Sequence, residues 1–232
     1  MNIVYNKDKV KLCSLLIERI MHLSTNDRIN IAVSGGSTPN MLFSMMGEPP
    51  YSDNLNWENI NIYWVDERCV SPDDDESNYK MAYDYMLSKV AIPKENIFRI
   101  KGESDPYSEV LRYNSVVTEN IPLANGFPSF DVALMGVGDD GHTSSIFYGQ
   151  MHLLESELPY AVATNPYTNQ KRIAMTGKTI INSKELIFLV TGENKKSVLS
   201  DIIEGNNKAK SYPAYFIMEK RTDSTLYTDV NI

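Results

Sequence analysis

The chain has 232 residues, 42% hydrophobic and 22% charged, with 30 acidic against 22 basic side chains and a formal net charge of −8. Such ordinary globular usage excludes wholesale disorder and supports a sizeable core, so one domain over residues 1–232 is expected. The acidic balance argues against nucleic acid as a partner, which needs clustered Lys and Arg, but not against one small anion, which needs only a few local cations.

Residues 7–23 place Val10, Cys13, Ile17 and Ile20 at helical spacing, predicting an amphipathic helix. Its apolar stretch is interrupted by Glu18 and Arg19 and is followed by no small-residue cleavage pattern, so it is neither a signal peptide nor a membrane span. A cytoplasmic protein with no membrane partner is expected. Cys13 and Cys69 allow at most one disulfide, and the three histidines, His22, His142 and His152, form no Cys/His grouping suited to structural zinc.

Next, Ile29–Val33 reads as a strand entering Ser34-Gly35-Gly36, with Thr38 as the cap and Pro39 in the first turn of a helix. Residues 61–65 are a strand ending at Asp66-Glu67-Arg68. Ser77 is the cap of a helix through Val90, and a further helix covers 106–121. A third strand, 130–135, stops at Gly136-Val-Gly-Asp-Asp-Gly-His142. Residues 160–181 read as additional, antiparallel strands. Glu185–Val190 is a strand stopping at Thr191-Gly192, a helix follows over 194–204 with Gly205 as its stop, and 215–218 is read as a last strand. Unbroken apolar runs alternating with helices predict an open, mostly parallel α/β sheet with helices on both faces, Rossmann-like in layout.

Four strands end in unusual polar or Gly-rich sequences. In open α/β sheets ligands bind beyond the carboxyl ends of the strands, so these ends are expected to converge on one crevice. In Ser34–Pro39 the glycines allow close backbone approach to an anion, and a helix N-terminus with Ser37 and Thr38 adds donors. A plain capped turn accounts for the same residues. No Gly-Lys-Ser/Thr ending is present, so ATP is not indicated. The segment 136–141 matches G-x-G-x-x-G, alone a weak signal. His142 beyond it is the residue type most often used as a general base, with Asp139 and Asp140 competing to orient it. Asp66-Glu67-Arg68 suits a loop-fixing charge network at least as well as catalysis. Arg172 and Lys195 offer a planar fork and a point charge for an anion. The run Asp73 to Glu76 reads as a solvated loop.

Taken together, the motifs resemble the 6-phosphogluconolactonase family, related to glucosamine-6-phosphate deaminases. The resemblance runs through Ser34–Pro39, Asp66–Arg68, Ser77-Asn78-Tyr79, Gly136 to Phe147, Arg172-Ile173, and Thr191-Gly192 with Lys195. It implies the phosphosugar isomerase/deaminase-like fold and hydrolysis of a phosphorylated sugar lactone, 6-phospho-glucono-1,5-lactone, in the oxidative pentose phosphate pathway. By position it implies His142 as the base activating water and Asp140 as its partner. Ser37, Thr38, Arg172 and Lys195 would hold the 6-phosphate, with Gly35, Gly36, Asp66 and Arg68 in the substrate site. It implies no metal or organic cofactor, and a monomer or weak homodimer is expected. The family usually carries Pro where Ser71 and Tyr148 stand, differences confined to loops.

No G-x-S-x-G elbow occurs, which favours direct attack by water, with backbone N–H groups of Gly35 and Gly36 as candidate oxyanion donors. The deaminase branch carries Asp-Glu-Tyr in place of Asp66-Glu67-Arg68 and a Glu five residues after the histidine, where this chain has Phe147. A non-catalytic phosphosugar-binding module would need neither His142 nor Asp140.

Overall fold

The computed structural model describes residues 1–232, the side chain of Ser37 excepted. The first half carries strands β1 (Asn2–Tyr5), β2 (Ile29–Val33), β3 (Ile60–Trp64), β4 (Asp66–Arg68), β5 (Ile97–Phe98) and β6 (Leu123–Ala124). The second half carries β7 (Phe127–Pro128), β8 (Val132–Met135), β9 (Tyr160–Thr164), β10 (Lys171–Met175), β11 (Glu185–Val190) and β12 (Thr225–Thr228). Between them lie helices α1 (Lys9–Ser24), α2 (Ser37–Met46), α3 (Tyr51–Asn54), α4 (Asn78–Ala82), α5 (Pro106–Asn120), α6 (Gly177–Ile181), α7 (Lys196–Glu204) and α8 (Pro213–Lys220).

Seven strands form a parallel sheet in the order β1-β12-β11-β8-β2-β3-β5. β2, β3 and β8 are buried at every position, which is why each is an apolar run with little polar alternation. From β2 the chain builds outward through β3 to β5, then returns to lay β8 on the other side of β2 and builds outward through β11 and β12. Right-handed connections running in opposite directions place their helices on opposite faces: α1 packs on α2, and α6 on α8. The reversal makes the gap between β2 and β8 the switch point, where loops diverge and a ligand fits. There the Ser34 hydroxyl donates to the Leu134 carbonyl at 2.7 Å, tying the two strand ends together.

A second, antiparallel sheet, β4-β10-β9, adjoins the end of β3. Val65, between β3 and β4, joins the two layers: its N–H donates to Val33 and its carbonyl accepts from Met175. The strands expected within 160–181 are therefore β9 and β10, and α6 completes that stretch.

Four sequence expectations are corrected. Residues 215–218 lie in α8, where Pro213 at the first helical position and burial of Ala214, Ile217 and Met218 give helical spacing to a run of strand-favouring side chains. The last strand is β12, and β1 went unread because both are short edge or near-edge segments. The cap of α2 is Gly36, at φ 111°, and not Thr38, which sits inside the first turn. Finally, α4 starts as expected with Ser77 accepting the Lys80 N–H, but helical structure ends at Leu87, after a wider turn over Tyr83–Leu87, not at Val90.

Candidate active site

The four polar strand ends do converge. One cavity of about 230 Å³ is lined by Gly35, Gly36 and Thr38 after β2, by Asp66 and Arg68 of β4, by His142 after β8, by Arg172 of β10 and by Lys195 after β11. These are the expected site residues, with Asp140 placed behind His142 and the Ser37 side chain outside the described residues. The Thr38 and Thr191 hydroxyls lie 3.0 Å apart, locking the N-terminus of α2 to the end of β11. Among the described residues no side chain caps α2, and a helix end of this kind presents first-turn N–H groups and a positive dipole end to an anion.

The loop after β8 folds back on itself. The Gly138 N–H donates to the His142 carbonyl at 2.8 Å, the Gly141 N–H to the Gly138 carbonyl at 2.9 Å, and the Thr143 hydroxyl to Gly136 at 2.8 Å. A Cβ on Gly138 would fall 2.1 Å from His142 Nδ1, so glycine is what lets the ring lie against the turn. Asp140 Oδ1 accepts from His142 Nδ1 at 2.6 Å and Oδ2 accepts from the Tyr167 hydroxyl at 2.8 Å. Partial burial pushes the Asp140 carboxyl up, but the His142 hydrogen bond and charge, with the Tyr167 hydroxyl, outweigh it and hold it well below the usual carboxylate range. An ionised carboxylate only accepts, so the network assigns the proton to Nδ1 and the lone pair to Nε2. That is the tautomer a general base requires. The adjacent Asp139 has a different partner, Lys195, at 2.6 Å.

Across the cavity, Arg68 and Arg172 are direct partners in the β4–β10 register. Like charges facing each other across strands are destabilising, and each guanidinium keeps a buried Nε without a hydrogen-bond partner among the described residues. Arg68 is held by the Glu76 carbonyl, and Arg172 by the Ser145 hydroxyl at 3.3 Å, with Asp66 at 3.9 Å. Burial lowers the Arg172 guanidinium below its ordinary value, with Asp66 opposing and Arg68 reinforcing the shift. An anion against this pair relieves the repulsion.

Within the Asp66-Glu67-Arg68 motif the roles divide. Asp66 accepts from Ser145 at 2.6 Å and lines the cavity. Glu67 is buried and accepts from Ser77, Asn78, Tyr79 and Arg68, so it anchors α4, the network role weighed for this motif. Burial pushes its carboxyl up even against those N–H donors. His22 and His152 are exposed and apart from the cavity. In the acidic run, Asp74 accepts the Glu76 N–H and Asp75 pairs with Lys80.

Some residues in and around the cavity had little or no signal of their own in the sequence. Asn78 is one: its amide donates to the Asp66 carbonyl and a Cβ on Gly35 would strike it, so its place in Ser77-Asn78-Tyr79 was the only hint. Phe147, read in the sequence only as standing where the deaminase branch has Glu, packs on the His142 ring at a tilt, 4.5 Å between centroids. Tyr167, far along the chain in the β9–β10 loop, was unreadable because an exposed loop tyrosine has no distinguishing pattern.

The chain matches the model of a family described as glucosamine-6-phosphate isomerases/6-phosphogluconolactonase over residues 9–227. A 6-phosphogluconolactonase of Haemophilus influenzae is 37% identical over 212 residues, 91% of this chain and 89% of that protein. The crystal structure of a devB protein superposes with a TM-score of 0.93 at 35% identity, over 98% of this chain and 95% of that one. A 6-phosphogluconolactonase from Trypanosoma cruzi gives a TM-score of 0.84 at 28% identity, over 98% and 93%.

Proposed function

The chain belongs to the family of glucosamine-6-phosphate isomerases and 6-phosphogluconolactonases and hydrolyses 6-phospho-glucono-1,5-lactone to 6-phosphogluconate in the oxidative pentose phosphate pathway; we propose that His142, backed by Asp140, activates the attacking water. The observation that carries the residue assignment is the 2.6 Å contact from Asp140 to His142 Nδ1, which leaves Nε2 as base on the cavity wall.

In this reading the 6-phosphate lies at the N-terminus of α2, against Ser37, Thr38 and Lys195 with Arg172 and Arg68 beside it. Binding energy from the phosphate orients the lactone carbonyl toward His142. Nε2 removes a proton as water adds to C1. The tetrahedral intermediate collapses with cleavage of the C1 to ring-oxygen bond, and the imidazolium returns the proton to that oxygen. The product acid then ionises. A lactone is a reactive ester, so one base and charge stabilisation suffice. The deaminase reading is disfavoured by Phe147, an apolar ring packed on His142 where that branch has Glu. We further propose that residues 1–232 form a single domain acting in the cytoplasm as a monomer or weak homodimer, a state that sedimentation of the purified protein tests.

The direct test of substrate choice follows fresh lactone and glucosamine 6-phosphate in parallel, subtracting spontaneous hydrolysis. Catalysed lactone opening with no ammonia release is expected; ammonia release without lactone opening contradicts the assignment.

A further inference from the structure

Tyr167 is 73% exposed, in the loop joining β9 to β10, yet both ends of its side chain are engaged. Its hydroxyl donates to Asp140 Oδ2 at 2.8 Å, the oxygen that His142 does not use. Its ring meets Phe147 edge to face, centroids 6.3 Å apart, and Phe147 in turn lies on the His142 ring. Tyr167 therefore touches the two groups that flank the imidazole, from an element remote in sequence.

The loop does not need this side chain for its own shape. The Tyr167 N–H donates to Asn165 Oδ1 at 2.8 Å, the Asn169 N–H to the Asn165 carbonyl at 2.9 Å, and the Asn165 N–H to the Gln170 carbonyl at 2.9 Å. None of these bonds uses the Tyr167 side chain, so any residue but proline at position 167 keeps them. The side chain buries little, so its contribution to the core is small, and what distinguishes it is the bond to Asp140.

Resting on the reading of His142 as base, we propose that Tyr167 is a positioning residue for hydrolysis, fixing the Asp140 carboxylate so that Oδ1 holds His142 Nδ1–H and aims Nε2 at the attacking water. A carboxylate with one bonded oxygen is free to rotate about its side-chain torsion; a second donor on the other oxygen removes that freedom. The Tyr167 hydroxyl is raised from its ordinary value chiefly by its hydrogen bond to Asp140 and by the charge there, in keeping with a donated proton.

The test compares Tyr167→Phe with wild type and with Tyr148→Phe, another exposed tyrosine, as control. Loss of one hydrogen bond to a charged, partly solvated group predicts a kcat about fivefold lower in Tyr167→Phe. KM and the unfolding temperature stay unchanged, and the downfield proton resonance of His142 Nδ1–H moves. In an Asp140→Asn background the same substitution should alter kcat by less than about twofold, because the carboxylate it acts through is gone. Wild-type kcat in Tyr167→Phe, an equal effect in Tyr148→Phe, or a full effect persisting without Asp140 overturns the proposal. The resonance is read without turnover, and His142→Ala is scored separately, so failure of the base assignment is distinguishable from failure of this one.

Discussion

Two adjacent carboxylates, Asp139 and Asp140, show how much one residue's direction decides. Asp140 turns inward to His142, while Asp139 turns to Lys195 and accepts from Asn194 at 3.1 Å. Their spacing in sequence left the choice open, because it depends on the fold of a glycine turn rather than on residue type. If Lys195 holds the 6-phosphate as proposed, its pair with Asp139 competes with the phosphate for the ammonium. Asp139 is 68% exposed, so the pair is worth no more than about 1 kcal/mol. Asp139→Asn is therefore expected to lower KM for the phosphorylated lactone by a factor of about two to five, with kcat unchanged. A raised KM would show that Asp139 helps hold Lys195 in place instead. The depressed Asp140 carboxyl has a stability consequence too. A folded pKa below the unfolded one contributes stability present above the unfolded value and lost as pH falls through the folded one. The difference in unfolding temperature between wild type and Asp140→Asn should be present at neutral pH and shrink as pH drops below about 4.

At the scale of elements, the His142 loop is held by its neighbours as much as by itself. Gly141, at φ 77°, passes its carbonyl to the Ala214 N–H at the start of α8, and a Cβ there would lie 2.2 Å from the Tyr212 ring. Both the backbone conformation and the lack of space forbid a side chain. Gly141→Ala should cost about 2–3 kcal/mol in urea unfolding and displace His142, lowering kcat; wild-type stability would refute the clash. The opposite wall depends on Glu67, whose carboxylate gathers four donors at the N-terminus of α4. Glu67→Ala leaves those buried donors unmet, and a loss of about 3 kcal/mol is expected, readable as a lower urea midpoint. Strands β2 and β11 were legible to the residue because their apolar runs are bounded by turn signals. α8 was not, since Tyr215-Phe216-Ile217-Met218 suits a strand locally and is helical only because of what it packs against.

Across the whole molecule, the legible part of the site was its convergence. Each polar strand end was ambiguous alone, and parallel-sheet logic was what brought SGGSTP, DER, the His142 loop and Lys195 to one cavity. The cross-strand Arg68–Arg172 pair and the Tyr167 contact stayed hidden because both depend on the small antiparallel sheet, whose register the sequence does not express. A formal charge of −8 is compatible with the proposed anion site because three cations and a helix end are concentrated at one crevice. The core forms one connected cluster from Cys13 to Val230. Fluorescence and far-ultraviolet dichroism are thus expected to report one coincident unfolding transition, and two separated transitions would contradict a single domain.

Hydrolysis of fresh 6-phosphogluconolactone by wild type and His142→Ala, corrected for the spontaneous reaction and paired with 6-phosphogluconate binding to both, bears most directly on how the cleft works. Loss of general-base catalysis predicts turnover lower by about a hundredfold or more with binding retained. Near-wild-type turnover in His142→Ala would place the base elsewhere.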